Sequence, residues 1–409
     1  MTDILLVSGT RANEDRLAAA TTAVARRAVG DARRWLDDYA ANGGAPDATY
    51  WRLRAQARDA TDTRSAVADL EQAVAAAPQD AETRRVLAWA RLADGDRAGA
   101  RRAFTALRAD GASNALGDEQ LAYLDIEAGD MAAARAGLAR VIDAVGDTDQ
   151  ARSFRLRRAH EDLGQRWNAS ASLWSATRVA SVSGAPDPGS AFRSFLELSA
   201  GYRLGSDRMA VDERFTAYAR LVADGGTGAD ALPADNPLLG AGLRVRPWRS
   251  QVAYLSLERQ WPLDDADPRQ PDSMLRASAS FLDQGRWSDD WHVAGSGWST
   301  RSLFLDAARF VDAERTSLTA DLAVGYHHKL RAGQTLQPRA HLQYANTLYG
   351  GAHDEDLRLG IGLQWNLWHG ETRHDAWRYR TAVGIEVQHA FRTFLQEEDV
   401  AALSVSTRW

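Results

Sequence analysis

Residues 357–370 read LRLGIGLQWNLWHG. Leu357, Leu359, Ile361, Leu363, Trp365 and Leu367 fall on one side of an alternation, and Arg358, Gly360, Gly362, Gln364 and Asn366 on the other. Successive side chains of an extended chain point to opposite faces, so a period of two marks a strand with one greasy and one polar face. Strands of ordinary sheets run about five or six residues, and this one runs about twice that. A strand so long, apolar on one side only, suits a sheet whose outer face meets a medium as apolar as itself.

The same texture fills the chain after Leu163. FLELSAGYRL (195–204) puts Leu196, Leu198, Ala200 and Tyr202 opposite Glu197, Ser199, Gly201 and Arg203. LLGAGLRVR (238–246), SLTADLAVGYH (317–327), WRYRTAVGIEVQHAF (377–391) and the closing LSVSTRW (403–409) alternate in the same way. About twelve such runs begin near residues 167, 192, 212, 238, 251, 273, 301, 315, 335, 356, 375 and 401. Alternating segments of roughly ten residues separated by turns are the signature of a transmembrane β-barrel. In lipid every backbone amide needs a partner, and a closed antiparallel barrel supplies one with no free edge. Trp365, Trp377, Trp409, Tyr202, Tyr326 and Tyr379 sit toward the ends of the apolar faces, where interfacial girdles belong. The alternative is a soluble β-sandwich, whose strands also alternate. If the first strand leaves the periplasm, the connections near 181–190, 224–237 and 264–272 are external, and 205–210 and 331–334 are short internal turns. RWSDDWHVAGSGWS (286–299) is then internal yet long, so either the strand count slips there or the segment folds into the barrel mouth.

The first 164 residues have a different rhythm. Gly95-Asp96 matches Gly129-Asp130 at an offset of 34, and Ala100, Phe104 and Leu107 match Ala134, Leu138 and Val141. Ala66, Leu70 and Ala73 extend the register backward, and Ala32, Leu36 and Tyr39 echo it. Thirty-four is the tetratricopeptide period, each unit a helix–turn–helix. A generic Ala/Arg-rich helical bundle is the plainer alternative. The expected fold is therefore multidomain α + β: a tetratricopeptide-like α-solenoid over 1–164, then an antiparallel transmembrane β-barrel of about 12 strands over 165–409. Such repeats make concave surfaces for proteins or peptides.

The totals narrow the function. The chain has 409 residues, a net charge of −6 and no cysteine. Mild acidity gives no general pull toward nucleic acid, and without thiols there are no disulfides or Cys-ligated metals. No apolar run reaches the roughly 18 residues of a spanning helix. MTDILLVSGTRANEDR has only Ile4–Val7 as an apolar core, short of the roughly 7–15 residues of a signal peptide. An exported protein with this start is expected to be a fragment or to have a misassigned first residue.

Catalytic motifs are missing from the sequence. Asp289, Asp290 and His292 of WSDDWH cluster in a loop without further ligands at defined spacing. His327 and His328 are neighbours, so on a strand they face opposite ways. His353 and His374 read as loop residues. There is no phosphate-binding glycine loop, nucleophile elbow or metalloprotease helix motif. The expectation is a protein that is not an enzyme and needs no cofactor or metal. The candidate lumen lining is Arg203, Arg220, Arg244, Arg246, Glu258, Asp321, Arg339, Arg358, Arg378, Arg380 and Glu386. Two readings of it stand. Opposite charges at close range plug a small barrel, or they form a hydrated wall whose guanidinium groups bind hydroxyl and carboxylate oxygens of a polar polymer. Gly201, Gly242, Gly325, Gly360, Gly362 and Gly384 keep that wall low.

Helical repeats ahead of an outer-membrane barrel resemble the plan of exopolysaccharide export porins. WSDDWHVAGSGWSTRSLFLDAARFV (287–311), LTADLAVGYHHKLRAGQTLQPRAHLQY (318–344), DAWRYRTAVGIEVQHAFRTFL (375–395) and LSVSTRW resemble the C-terminal domain of the bacteriophage adsorption protein A family. The resemblance implies an outer-membrane location with the repeats in the periplasm. It also implies contact with outer-membrane lipid, a surface polysaccharide and an inner-membrane glycosyltransferase, with a phage tail protein as an opportunistic partner. The alternatives are a non-conducting adhesin or receptor anchor, and a soluble repeat adaptor.

Overall fold

The computed structural model describes residues 2–409 except 147, 226–232, 234, 265–268, 283–290, 293–294 and 396, with side chains from residue 11 onward. By compactness the chain forms two units, Met1–Gly146 and Asp147–Trp409.

In the first unit, helix pairs repeat. The first members are α3 (Ala48–Gln56), α5 (Ala81–Ala93) and α7 (Ala115–Ala128). The second members, α4 (Thr63–Ala76), α6 (Arg97–Ala109) and α8 (Met131–Val145), start 34 residues apart each time. Two further helices, α1 (Thr2–Ala25) and α2 (Val29–Ala41), precede them. The Gly-Asp pairs explain the turns. Gly95 and Gly129 take φ near +85° and +84°, a conformation nearly free of cost only for glycine. The following aspartate then caps the next helix: Asp96 accepts from Gly99 N at 2.8 Å and Asp130 from Ala133 N at 3.1 Å, satisfying amides that have no partner within the helix. The positions read as repeat contacts are buried: Leu70, Ala73, Ala100, Phe104, Leu107, Ala134, Leu138 and Val141. Ala66 is only partly so.

The second unit opens with α9 (Gln150–Gly164) and closes into a barrel. Its strands are β1 (Trp167–Ser181), β2 (Ala191–Arg203), β3 (Phe215–Asp224), β4 (Asp235–Val245), β5 (Val252–Pro262), β6 (Asp272–Leu282), β7 (Gly297–Phe310), β8 (Arg315–Arg331), β9 (Gln334–Tyr349), β10 (Ala352–His369), β11 (Tyr379–Thr393) and β12 (Asp399–Arg408). Each pairs antiparallel with its neighbours in sequence, and β1 pairs with β12. At the seam Ala169 and Trp409 exchange both backbone hydrogen bonds, at 2.8 and 3.0 Å. A ring without edges is not a sandwich, so the soluble β-sandwich is ruled out.

The faces fall as the alternation requires. On β10, Ile361 is 59% exposed and Arg358 is 0% exposed, so the leucine side faces outward and the polar side inward. Outward aromatics Trp167, Tyr202, Tyr326, Trp365, Tyr379 and Trp409 ring the mouth that holds both barrel termini, here called proximal; Trp261, Tyr349 and Phe391 mark the distal one. Trp377 is not in the girdle: it lies in the β10–β11 connection, with the Arg158 guanidinium 4.6 Å above its ring. The strand count does not slip between 286 and 299. Residues 297–299 already belong to β7, while Asp289 and Asp290 lie outside the described residues. The expected short turn at 205–210 is a longer connection, 204–214, carrying a one-turn helix, α10 (Asp207–Val211). His353 is on β10 rather than in a loop.

Ile361→Arg places a charge on the lipid-facing surface and should cost about 2–4 kcal/mol of barrel stability, measured by denaturant unfolding in lipid. In the other unit, Leu138→Ala should cost about 2–5 kcal/mol, read from helical unfolding by circular dichroism.

Candidate functional site

The barrel interior is the candidate site, and its charges are organised rather than scattered. On β3, β4 and β5, Arg220 pairs in register with Gly240, and Gly242 with Glu258. Because β4 carries glycine at both places, the side chains of its flanking strands meet over it. Arg220 donates to Glu258 through Nε (2.9 Å to Oε2) and Nη2 (2.7 Å to Oε1), and Tyr218 and Gln260 donate to the same carboxylate at 2.9 and 2.8 Å. A Cβ at Gly240 would stand 2.6 Å from Glu258 Oε1. On β9, β10 and β11 the device recurs. His341 Nδ1 lies 3.0 Å from Asp321 Oδ2, and its Nε2 lies 3.4 Å from Glu386 Oε2 across the strand of Gly360 and Gly362. A Cβ at Gly360 would fall 2.0 Å from His341 Nε2. The glycines do keep the wall low, but their neighbours' side chains occupy the space.

The other expected lining residues divide by position. Arg358 is fully buried near the distal mouth, donating to Asp356 at 2.6 Å and to Thr393 and two backbone carbonyls at 3.3–3.4 Å. Arg203, Arg244 and Arg246 gather near the proximal mouth. Arg203 and Arg246 pair with Glu213, and Arg244 lies over the Tyr254 ring at 4.6 Å. Arg339 donates to Gln364 at 3.2 Å and Arg380 to Asn366 at 3.0 Å. Arg378 is not in the lumen: it precedes β11 and is exposed in the β10–β11 connection.

Sequence reading missed several interior residues. Arg276 and Asp306 form a bidentate pair, both contacts at 2.8 Å. His327 is buried, stacked on Trp298 at 4.3 Å and bonded to Thr335 at 2.8 Å, while His328 faces out. Alternation told which way these side chains point but not which neighbours they meet. Among the described residues no group of three or more His, Asp or Glu could hold a metal.

α9 is fastened to connections of the proximal mouth. Arg157 bonds Glu371 at 2.7 Å, His160 Nδ1 lies 2.9 Å from Asp375, Glu161 accepts from Trp377 N at 3.2 Å, and Phe154 stacks on His292 at 3.9 Å. Burial pushes the Asp375 carboxyl up, but the His160 contact and the Thr372 hydroxyl outweigh it, leaving the pKa below its ordinary value. Burial raises Glu161 despite Arg158. A depressed carboxyl contributes stability at neutral pH that is lost as pH falls through its folded-state pKa. Asp375→Asn should therefore loosen α9 by about 1.5–3 kcal/mol at neutral pH and progressively less in acid, measured as amide exchange across 150–164.

Glu258→Gln should be costly, about 3–5 kcal/mol, because it leaves the buried Arg220 guanidinium with only Glu197, 3.7 Å away, as a counter-charge. Unfolding in detergent tests it, with Gly240→Val expected to disrupt the same cluster sterically.

Residues 229–402 match the family model described as bacteriophage N adsorption protein A C-term. The chain is 32% identical, over 453 aligned positions and 97% of its length, to bacteriophage adsorption protein A of Escherichia coli (strain K12), and spans 45% of that protein. Among solved structures, a bacterial polysaccharide outer membrane secretin overlaps 59% of this chain and 97% of its own at 10% identity with a TM-score of 0.30. An outer membrane channel from Pseudomonas putida F1 overlaps 59% and 94% at 11% identity with a TM-score of 0.29. Residues 229–402 thus carry the C-terminal domain of the bacteriophage adsorption protein A family, and the chain is similar to that protein along nearly its whole length.

Proposed function

We propose that this outer-membrane barrel is a surface-polysaccharide export protein that bacteriophage also use for adsorption. The observation that carries the reading is the 32% identity, across 97% of the chain, to a protein named for phage adsorption. The export half is supported by the polar interior, by its arginines, and by the family resemblance. In this reading the helical repeats, assigned to residues 1–164, lie in the periplasm and meet the polymer or an inner-membrane glycosyltransferase. With both barrel termini at the proximal mouth, this reading puts the distal connections, 311–314 among them, outside the cell. The work is binding and passage rather than catalysis.

A second reading is favoured by the filled interior: a receptor anchor that conducts nothing. Arg220, Glu258, Asp306 and Arg358 are all buried in pairs, which suits a barrel that is a pedestal.

Cells lacking the gene should lose a surface polysaccharide and resist a phage that plates on the parent. Loss of phage sensitivity with unchanged polysaccharide would support the anchor. For the orientation, Ala313→Cys should be labelled by an impermeant maleimide on intact cells and Ser250→Cys should not. The reverse pattern would invert the topology.

A further inference from the structure

The connection between β1 and β2, residues 182–190 (VSGAPDPGS), turns into the barrel instead of standing clear of it. Ala185, Pro186 and Pro188 are buried. The segment is gripped from several strands. Arg220 of β3 donates to Pro186 O, Arg315 of β8 donates to Ser190 Oγ at 2.7 Å and pairs with Asp187, and Thr347 of β9 donates to Gly189 O at 2.9 Å. Gln343 of β9 holds its start, accepting from Ser183 N at 3.0 Å and donating to the carbonyl of Ser181, the last residue of β1, at 2.9 Å.

Three features distinguish this grip from a permanent core. First, apart from the packing of Ala185 against Trp174 and Phe195, it is made of polar contacts, several to backbone carbonyls, which water can replace. Second, Gly184 and Gly189 flank the two prolines with φ of +71° and +80°. A Cβ at Gly189 would lie 2.2 Å from Thr347 Oγ1 and 2.5 Å from Ser317 Cβ, so the close approach requires glycine. Third, the wall behind it is polar: the buried hydroxyls of Ser181, Ser194, Ser317 and Thr319 make no hydrogen bond to protein.

The interior is also asymmetric along its axis. On the β1–β12 side, Ser172 and Ser404 are partly accessible and Ser406 is exposed, toward the proximal mouth. Further along the same strands Trp174, Val400 and Ala402 are buried, and they cluster with Ala185 of the inturned segment and with Phe195 of β2. Accessible small polar residues thus run up to a block to which the segment contributes.

We propose that residues 182–190 are a displaceable plug, latched by Arg315 and Gln343, whose withdrawal opens the barrel to a hydrophilic solute. The identity of that solute as a polysaccharide rests on the export reading above; the plug itself is tested with small ions alone. In planar bilayers containing potassium chloride, the full chain should conduct little. Replacing Val182–Ser190 by Asn-Gly should raise single-channel conductance at least tenfold. A replaced barrel that is folded by its heat-shifted gel mobility yet stays as tight as the parent would overturn the proposal.

The chain has no cysteine, which gives a second readout that does not need the shortened barrel to fold. Ala185→Cys should react slowly with a maleimide in non-denaturing detergent, and adding Arg315→Ala with Gln343→Ala should speed the reaction at least tenfold. Equal rates in the latched and unlatched proteins would also overturn it. A conducting shortened barrel in cells that export no polymer would leave the plug standing and remove the export reading.

Discussion

Closure of the hydrogen-bond ring is the constraint on which the barrel depends. A membrane strand cannot leave its amides to water, so the last strand must meet the first. Here that requirement falls on the ladder from Ala169–Trp409 onward. Once the ring is shut, the pleat assigns every other side chain. Leucine, isoleucine and valine go outward because lipid accepts them, and arginine, aspartate, glutamine and histidine have only the lumen to occupy.

That interior then has its own problem. Charged groups withdrawn from water need partners with good geometry, and a lone one is far more costly than a pair. In β4 and β10 glycine solves it by removing the intervening side chain, letting residues two strands apart share one ion pair or hydrogen-bond cluster. Local backbone permissiveness is not the reason for these glycines. Gly240, Gly242, Gly360 and Gly362 all have ordinary strand backbones; what they supply is the space a Cβ would fill.

Much of this was legible beforehand, for a physical reason. A period of two is written in the residues themselves, so strand number, strand starts and facing could be read from runs such as 238–246 and 357–367. The 34-residue step was equally explicit in Gly95-Asp96 and Gly129-Asp130. What sits inside the cylinder was not. Alternation places Arg220 and Glu258 on one face but says nothing of their distance, since register between strands is set by the whole ring. Arg378 was misplaced because its alternation continues past the point where the chain leaves the sheet. The grip of α9 on Asp375 and that of Gln343 on Ser183 are contacts between residues more than 150 positions apart, with no periodic trace.

The glycine-bridged clusters have a consequence for how this family can vary. Because 220 and 258 communicate only when 240 and 242 lack side chains, none of these positions is free to drift alone; the same holds for 341 and 386 with 360 and 362. Covariation among homologues should therefore surface as linked groups spanning three adjacent strands, with the middle member invariant in size, rather than as the neighbouring-strand couplets by which barrel contacts are ordinarily inferred.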